Sequence, residues 1–277
     1  MSDGILIAWF TLTALSLAFV VVDIPKTPEA TVLKWAFVIL TVFSGPFGAF
    51  FYVLGCREPL KGTHAEYVSA TWRQVLGSTM HCAAGDGIGI IAGAVIGAFL
   101  ALSEWGDFAL EYALGFGFGW VYFQAFAMRD MAGGSFSRSL KETFIPELVS
   151  MNVLMAGMLV TMKTLMPRLT GANDPLTPAF WFVMSMALMV GFAAAYPVNW
   201  WLVTRNMKHG MLTLLAHVDS QGHEGMAGMD DTGVMDEMGD MDDMEGHDAP
   251  RPGPMAVAGV VALTFAILAL ALWVTIG

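Results

Sequence analysis

Charge is scarce in this chain, since Asp, Glu, Lys and Arg together make up 13% of its 277 residues, about half the share typical of soluble domains. A mean hydropathy of +0.62 accompanies that scarcity and excludes an ordinary water-soluble globule as the fold class. Cysteine is almost missing too. Cys56 and Cys82 alone are too few and too far apart for a disulfide framework, and both are expected to stay reduced. Basic clusters are absent, which leaves no surface for a phosphate backbone and excludes nucleic acid as a partner. The run "GDGIGIIAG" lacks the Lys and Ser/Thr of a phosphate-binding loop, so any transport has to draw on an ion gradient or a partner. No Ser/His/Asp arrangement supports nucleophilic catalysis, and an enzyme is the less favoured class. The amino-terminal "MSDGILIAWF" lacks a basic leader and a small-residue cleavage site, so its apolar run is read as a retained helix.

What the chain does have is long apolar runs. A hydrocarbon core takes about 20 helical residues to cross, and lipid forces such runs to be helical. Seven candidates qualify: Ile5 to Val22, Val32 to Gly55, Val75 to Leu102, Phe108 to Met128, Leu148 to Met166, Pro178 to Val203, and Pro254 to Ile276. The expected fold is therefore an all-α polytopic membrane helix bundle of about seven transmembrane helices. Its expected organisation is a two-helix segment over residues 1–60, a four-helix core over 61–211, an acidic loop over 212–253 and a last helix over 254–277.

Lys and Arg give the orientation. Nine of them (Arg57, Lys61, Arg73, Arg129, Arg138, Lys141, Arg205, Lys208 and Arg251) fall in the even-numbered connections, against four (Lys26, Lys34, Lys163 and Arg168) at the other face. That bias predicts a cytoplasmic amino terminus, an external carboxyl terminus and residence in a bacterial inner membrane, with the lipid bilayer as the obligatory partner.

The net charge of −11 has a local origin, because eleven acids lie between Asp219 and Asp248. The same segment carries Met226, Met229, Met235, Met238, Met241 and Met244 in a register of three, flanked by His217, His223 and His247. Thioethers are soft ligands that prefer Cu(I) or Ag(I) to zinc, calcium or magnesium, and the acids add attraction for any cation. The oxygen-ligand pattern of an EF-hand is absent. The plain alternative is an acidic low-complexity linker.

Two predicted spans carry further candidate ligands. In "PELVSMNVLMAGMLVTMKTLMP", Met151, Met155, Met158, Met162 and Met166 fall within an arc of roughly 80°, one turn after Glu147. Such a stripe is either core packing or a ladder of exchangeable metal ligands. In "STMHCAAGDGIGIIAGAVIGAFLAL", Gly85, Gly89, Gly93 and Gly97 recur every four residues, a ridge that admits a close neighbour. Gly115, Gly119 and Glu111 offer the matching face. Asp86 lies beside that ridge with Cys82 one turn before it and His81 turned aside; a carboxylate inside a bilayer costs about 3 kcal/mol on the lenient scale and marks a functional site. Glu147, Met151 and Met155 are expected at the depth of His81, Cys82 and Asp86. Glu111, Asn152, Asn199 and His209 are candidate relay groups, and Arg205 and Lys208 read as charges at the membrane surface.

The runs "SMNVLMAGM", "FWFVMSMALMVGFAAAYPVNWWLVTRNMKHGM" and "HCAAGDGIG" resemble an uncharacterised prokaryotic membrane family, domain of unknown function 4396, over about Thr71 to Met211. The resemblance implies that His81, Cys82, Asp86, Glu111, Gln124, Glu147, Met151, Asn152, Met155, Met158, Asn199, Lys208 and His209 occupy its motif positions. It implies no activity, and the acidic methionine segment lies outside it.

Three functions fit these residues. The favoured one is Cu(I)/Ag(I) transport or copper insertion, with the loop capturing the ion, the intramembrane ligands passing it on, and a copper chaperone or copper-dependent protein as partner. A membrane metalloenzyme built on His81, Asp86, Glu111 and Glu147 is the second. A proton-coupled transporter or structural subunit without metal is the third.

Overall fold

The computed structural model describes residues 3–60, 62–126, 135–208, 210 and 251–277. His209, Met226, Met229, Met235, Met238, Met241, Met244, His223 and His247 lie outside the described residues, as does Met128. All regular structure among the described residues is helical.

Helix α1 (Asp3–Asp23) buries only Val20, as a helix bathed in lipid on nearly all sides would. The predicted second span differs from expectation. It is two helices, α2 (Thr31–Ser44) and α3 (Pro46–Gly55), separated by Gly45 at φ +58°. That backbone position suits glycine alone, and Pro46 cannot continue a preceding helix. The chain folds back so sharply that Gly48 lies against the backbone of Thr41. The hairpin returns to the end from which it left: Arg57 pairs with Asp23 at 2.6 Å, Tyr52 donates to Asp23 at 2.9 Å, and His64 meets Glu29 at 2.8 Å.

After the short α4 (His64–Val68), helix α5 (Thr71–Leu100) runs through the middle of the bundle. Ala101 takes the left-handed conformation that stops it, and Ser103 caps α6 (Glu104–Gly117) by accepting from Gly106 N–H. Helix α6 continues directly into a π-helical stretch, Phe118–Phe126. Helix α7 (Phe136–Leu165) has Pro146 inside it, and α8 (Pro178–Thr204) accommodates Pro197. Helix α9 (Pro254–Thr275) buries Thr264, Leu268, Ala271 and Thr275, one stripe directed at α7.

Among the described residues five helices, α1, α5, α7, α8 and α9 with short extensions, are each long and apolar enough to cross a membrane. The expected count of seven is not confirmed among the described residues, where α6 and the stretch after it together lead back from the opposite end to the basic end. Gly45–Pro46 breaks the second run, and the fourth changes from α- to π-helix at Phe118.

Glycines set the helix spacing. Gly89 sits against the backbone of Leu114 and Gly115, Gly93 against Glu111, and Gly157 against Gly191, so the ridge on α5 docks α6 as its four-residue period requires. Asp23, Arg57, Arg73 and Lys208 gather at one end of the bundle, termed the basic end. At the opposite end, Thr275 and Ile276 share a cavity with Ala101, Glu104 and Asn173.

Candidate functional site

Four elements converge on one buried polar centre nearer the basic end. Helix α5 supplies Cys82 and Asp86, α7 supplies Glu147 and Ser150, the π-helical stretch supplies Gln124, and α8 supplies Asn199. The fifth contributor is Lys208. Beyond Thr204 the chain turns through Asn206 at φ +53°, and the amides of Met207 and Lys208 return to the carbonyl of Leu202. This turn sends the Lys208 side chain back into the bundle, where the residue is only 7% exposed. Lys208 is thus not the surface charge expected from its place after the last turn of α8.

The hydrogen bonds form a chain. Lys208 Nζ donates to Asn199 Oδ1 at 2.9 Å and to Cys82 Sγ at 2.6 Å. Gln124 Nε2 also donates to Cys82 Sγ, at 2.8 Å, and the thiol in turn donates to Glu147 Oε2 at 3.1 Å. One thiol therefore makes its full complement of contacts, two accepted and one given. Asn199 Nδ2 donates to Ser150 Oγ at 2.9 Å, and Lys208 Nζ stands 3.9 Å from Glu147 Oε2.

The chain ends on a carboxyl pair. Both oxygens of Asp86 and Oε1 of Glu147 are buried without a hydrogen-bond donor. A methyl group on residue 119 would collide with Asp86 Oδ1 and lie 2.6 Å from Glu147 Oε1, so the two carboxyls border the same small space, kept open by Gly119. Two carboxylates facing each other away from water cannot both stay charged and bare; they hold a proton or a cation between them. Chemically, the centre can pass a proton from Lys208 through Cys82 to Glu147 and Asp86, or exchange that proton for a cation.

The π-helical stretch explains how α6 reaches this site. Widening the turn at Phe118–Phe126 directs Gln124 to Cys82 and places the Phe123 carbonyl where His81 Nε2 donates to it at 3.1 Å. Such wide turns are rare and recur at functional sites. His81 packs its ring against Phe123 with Nδ1 unpartnered, so it borders the centre without joining its hydrogen-bond chain.

Other predicted residues fall elsewhere. Glu111 lies against Gly93, about two helical turns from the carboxyl pair, at a cavity of about 500 Å³ near the opposite end. Asn152 ties helices together, accepting from Tyr112 at 2.6 Å and donating to Thr264 at 3.3 Å. Met151, Met155 and Met158 are fully buried within the apolar core between centre and cavity, whereas Met162 and Met166 reach the cavity wall. The stripe thus links the two places, and packing closes it along its middle. Among the described residues, no group of three or more His, Cys, Asp or Glu side chains is arranged to hold a metal ion. Ser150 carried no signal of its own in the sequence and Gln124 stood out only through the family resemblance, while Gly119 was read only as part of a packing face and Lys208 only as a surface charge and a position of that resemblance.

No curated protein and no solved structure matches this chain. A family model does, over residues 71–208, which hold every residue of the buried centre. This half of the chain belongs to the family described as Domain of unknown function (DUF4396).

Proposed function

We propose that this protein is a membrane transporter in which protons and a cation compete for the buried Asp86–Glu147 pair, with Cu(I) or Ag(I) as the cargo. The observation that supports it is the carboxyl pair itself, with three buried oxygens lacking donors in a space kept open by Gly119. A site that must bind and then release suits transport better than permanent coordination. Cys82 adds a soft sulfur to this space, and the methionines of α7 continue from it toward the opposite end. The acidic Met segment with His223 and His247 would concentrate the same ions on one side. A copper chaperone or copper-dependent protein is the partner that such a segment would serve.

Lys208 fits this scheme as an internal cation, neutralising the centre when no cargo is present. Cargo arrival at Cys82 and Glu147 would displace its ammonium, and the Lys208 backbone leads directly into the segment after Gly210. The transporter belongs in a bacterial inner membrane with its basic end cytoplasmic.

Reconstitution into liposomes tests the proposal. With an inward Ag(I) gradient, the intact chain is expected to carry Ag(I) inward and protons outward, and Asp86→Asn is expected to lower both fluxes at least tenfold. Ag(I) flux in the Asp86→Asn chain equal to that of the intact chain would sink the proposal.

A further inference from the structure

The cavity at the end opposite Lys208 carries its own ligand chemistry. Its walls include three carboxylates of α6 (Glu104, Asp107 and Glu111) and three thioethers, Met162 and Met166 from the end of α7 and Met184 from α8. Met184 belongs to a buried cluster with Phe180 and Ile91, and Met162 and Met166 pack against that cluster from α7. Glu111 is 4% exposed and has no hydrogen bond or ion pair among the described residues, although it borders the cavity. One turn away, over Gly97, the Asp107 Oδ1 atom is buried without a partner. Lys163 is the basic residue on the wall, and it is exposed at the rim.

A buried carboxylate without a donor requires a proton or a cation. Thioethers beside it set the preference, because Met sulfur is a poor ligand for Na⁺, Mg²⁺ or Ca²⁺ and a good one for monovalent soft ions. A small cation seated here would take sulfur from Met162, Met166 and Met184 and charge from Glu111, with Asp107 and Glu104 drawing it in from the mouth. Since α8's methionines otherwise scatter around the helix, Met184 gains its meaning only from the fold.

We infer that this cavity is a second soft-cation site, a Met/Glu vestibule for Cu(I) or Ag(I) built from Met162, Met166, Met184 and Glu111. It stands apart from the Asp86–Glu147 centre and does not depend on transport through it.

The test uses the full chain in detergent with methyl-labelled methionine, titrated with Ag(I) and followed by NMR; single Met→Leu variants identify each methyl signal. Ag(I) is expected to shift the Met162, Met166 and Met184 signals together, and Glu111→Gln to raise the Ag(I) concentration at their midpoint at least tenfold. In Asp86→Asn the same three signals should shift at an unchanged midpoint, which separates this site from the transport reading. Three signals that stay put while other methionines are saturated would overturn the inference. So would an unchanged midpoint in Glu111→Gln, or an equal response to Ca²⁺.

Discussion

Lys208 sets the charge of the buried centre. With Asp86 and Glu147 both ionised, one ammonium leaves the cluster a charge short of neutral, and a single proton shared by the carboxyls restores the balance. Glu147 Oε2, 3.9 Å from Nζ, is the carboxylate that faces this ammonium. Removing it should leave Glu147 uncompensated, as well as stripping Cys82 and Asn199 of a donor. Lys208→Met is expected to destabilise the protein by about 3 kcal/mol, the usual cost of breaking a buried pair from one side. Adding Glu147→Gln should recover part of that loss, because the second change removes the orphaned charge. Thermal unfolding of the two variants in detergent checks this, and a double variant less stable than Lys208→Met alone would show that the two groups are not paired.

At the scale of elements, periodicity was legible and breaks were not. The glycine ridge of α5 and the methionine stripe of α7 could be read because each repeats near the helical period, and Asp86 because a carboxylate is costly in lipid. The shared depth of Cys82, Asp86 and Glu147 followed from the antiparallel order of the runs, and the structure brings them together. Gly45 was hidden inside an uninterrupted apolar stretch, where one Gly-Pro pair carries no polar signal, yet it turns one expected span into the α2–α3 hairpin. The position of Lys208 was hidden as well, since a lysine after a helix end reads as surface until the turn at Asn206 is seen. The hairpin gives a test of its own. An alanine at Gly45 would place its Cβ against Thr13 and 3.4 Å from Trp9, on a backbone at φ +58°. At Gly62 the φ is +87°, but nothing lies within 4 Å. Both substitutions incur backbone strain of roughly 1–3 kcal/mol, and only the first adds a collision. Gly45→Ala should therefore unfold at a clearly lower temperature than Gly62→Ala. Equal unfolding temperatures would mean that α1 does not brace the hairpin.

For the whole molecule, the hairpin changes the parity of the chain. Because Arg57 pairs with Asp23 and His64 with Glu29, the end of α1 and the start of α5 share the basic end. Trp9 near the start of α1 meets Phe182 near the start of α8, while Thr275 lies beside Glu104 and Asn173, so the outer ends of α1 and α9 share the opposite end. The seven-span reading would separate them. This regrouping also sharpens the charge asymmetry: of the described basic residues, nine (Lys26, Lys34, Arg57, Arg73, Arg138, Lys141, Arg205, Lys208 and Arg251) lie at the basic end, and only Lys163 and Arg168 at the other. On the proposed reading, such a bias would orient the basic end toward the cytoplasm. Reporter proteins attached before Asp3 and after Gly277 should then both report the external side, and a reporter inserted within residues 211–250 the cytoplasmic side. Opposite reports from the two outer fusions would restore an odd number of crossings and undo the hairpin. The expected result fixes the direction of the chemistry too. The Met/Glu vestibule would face the environment and the acidic methionine segment the cytoplasm, with Asp86 and Glu147 between them as the one place where a cation must displace a proton to pass.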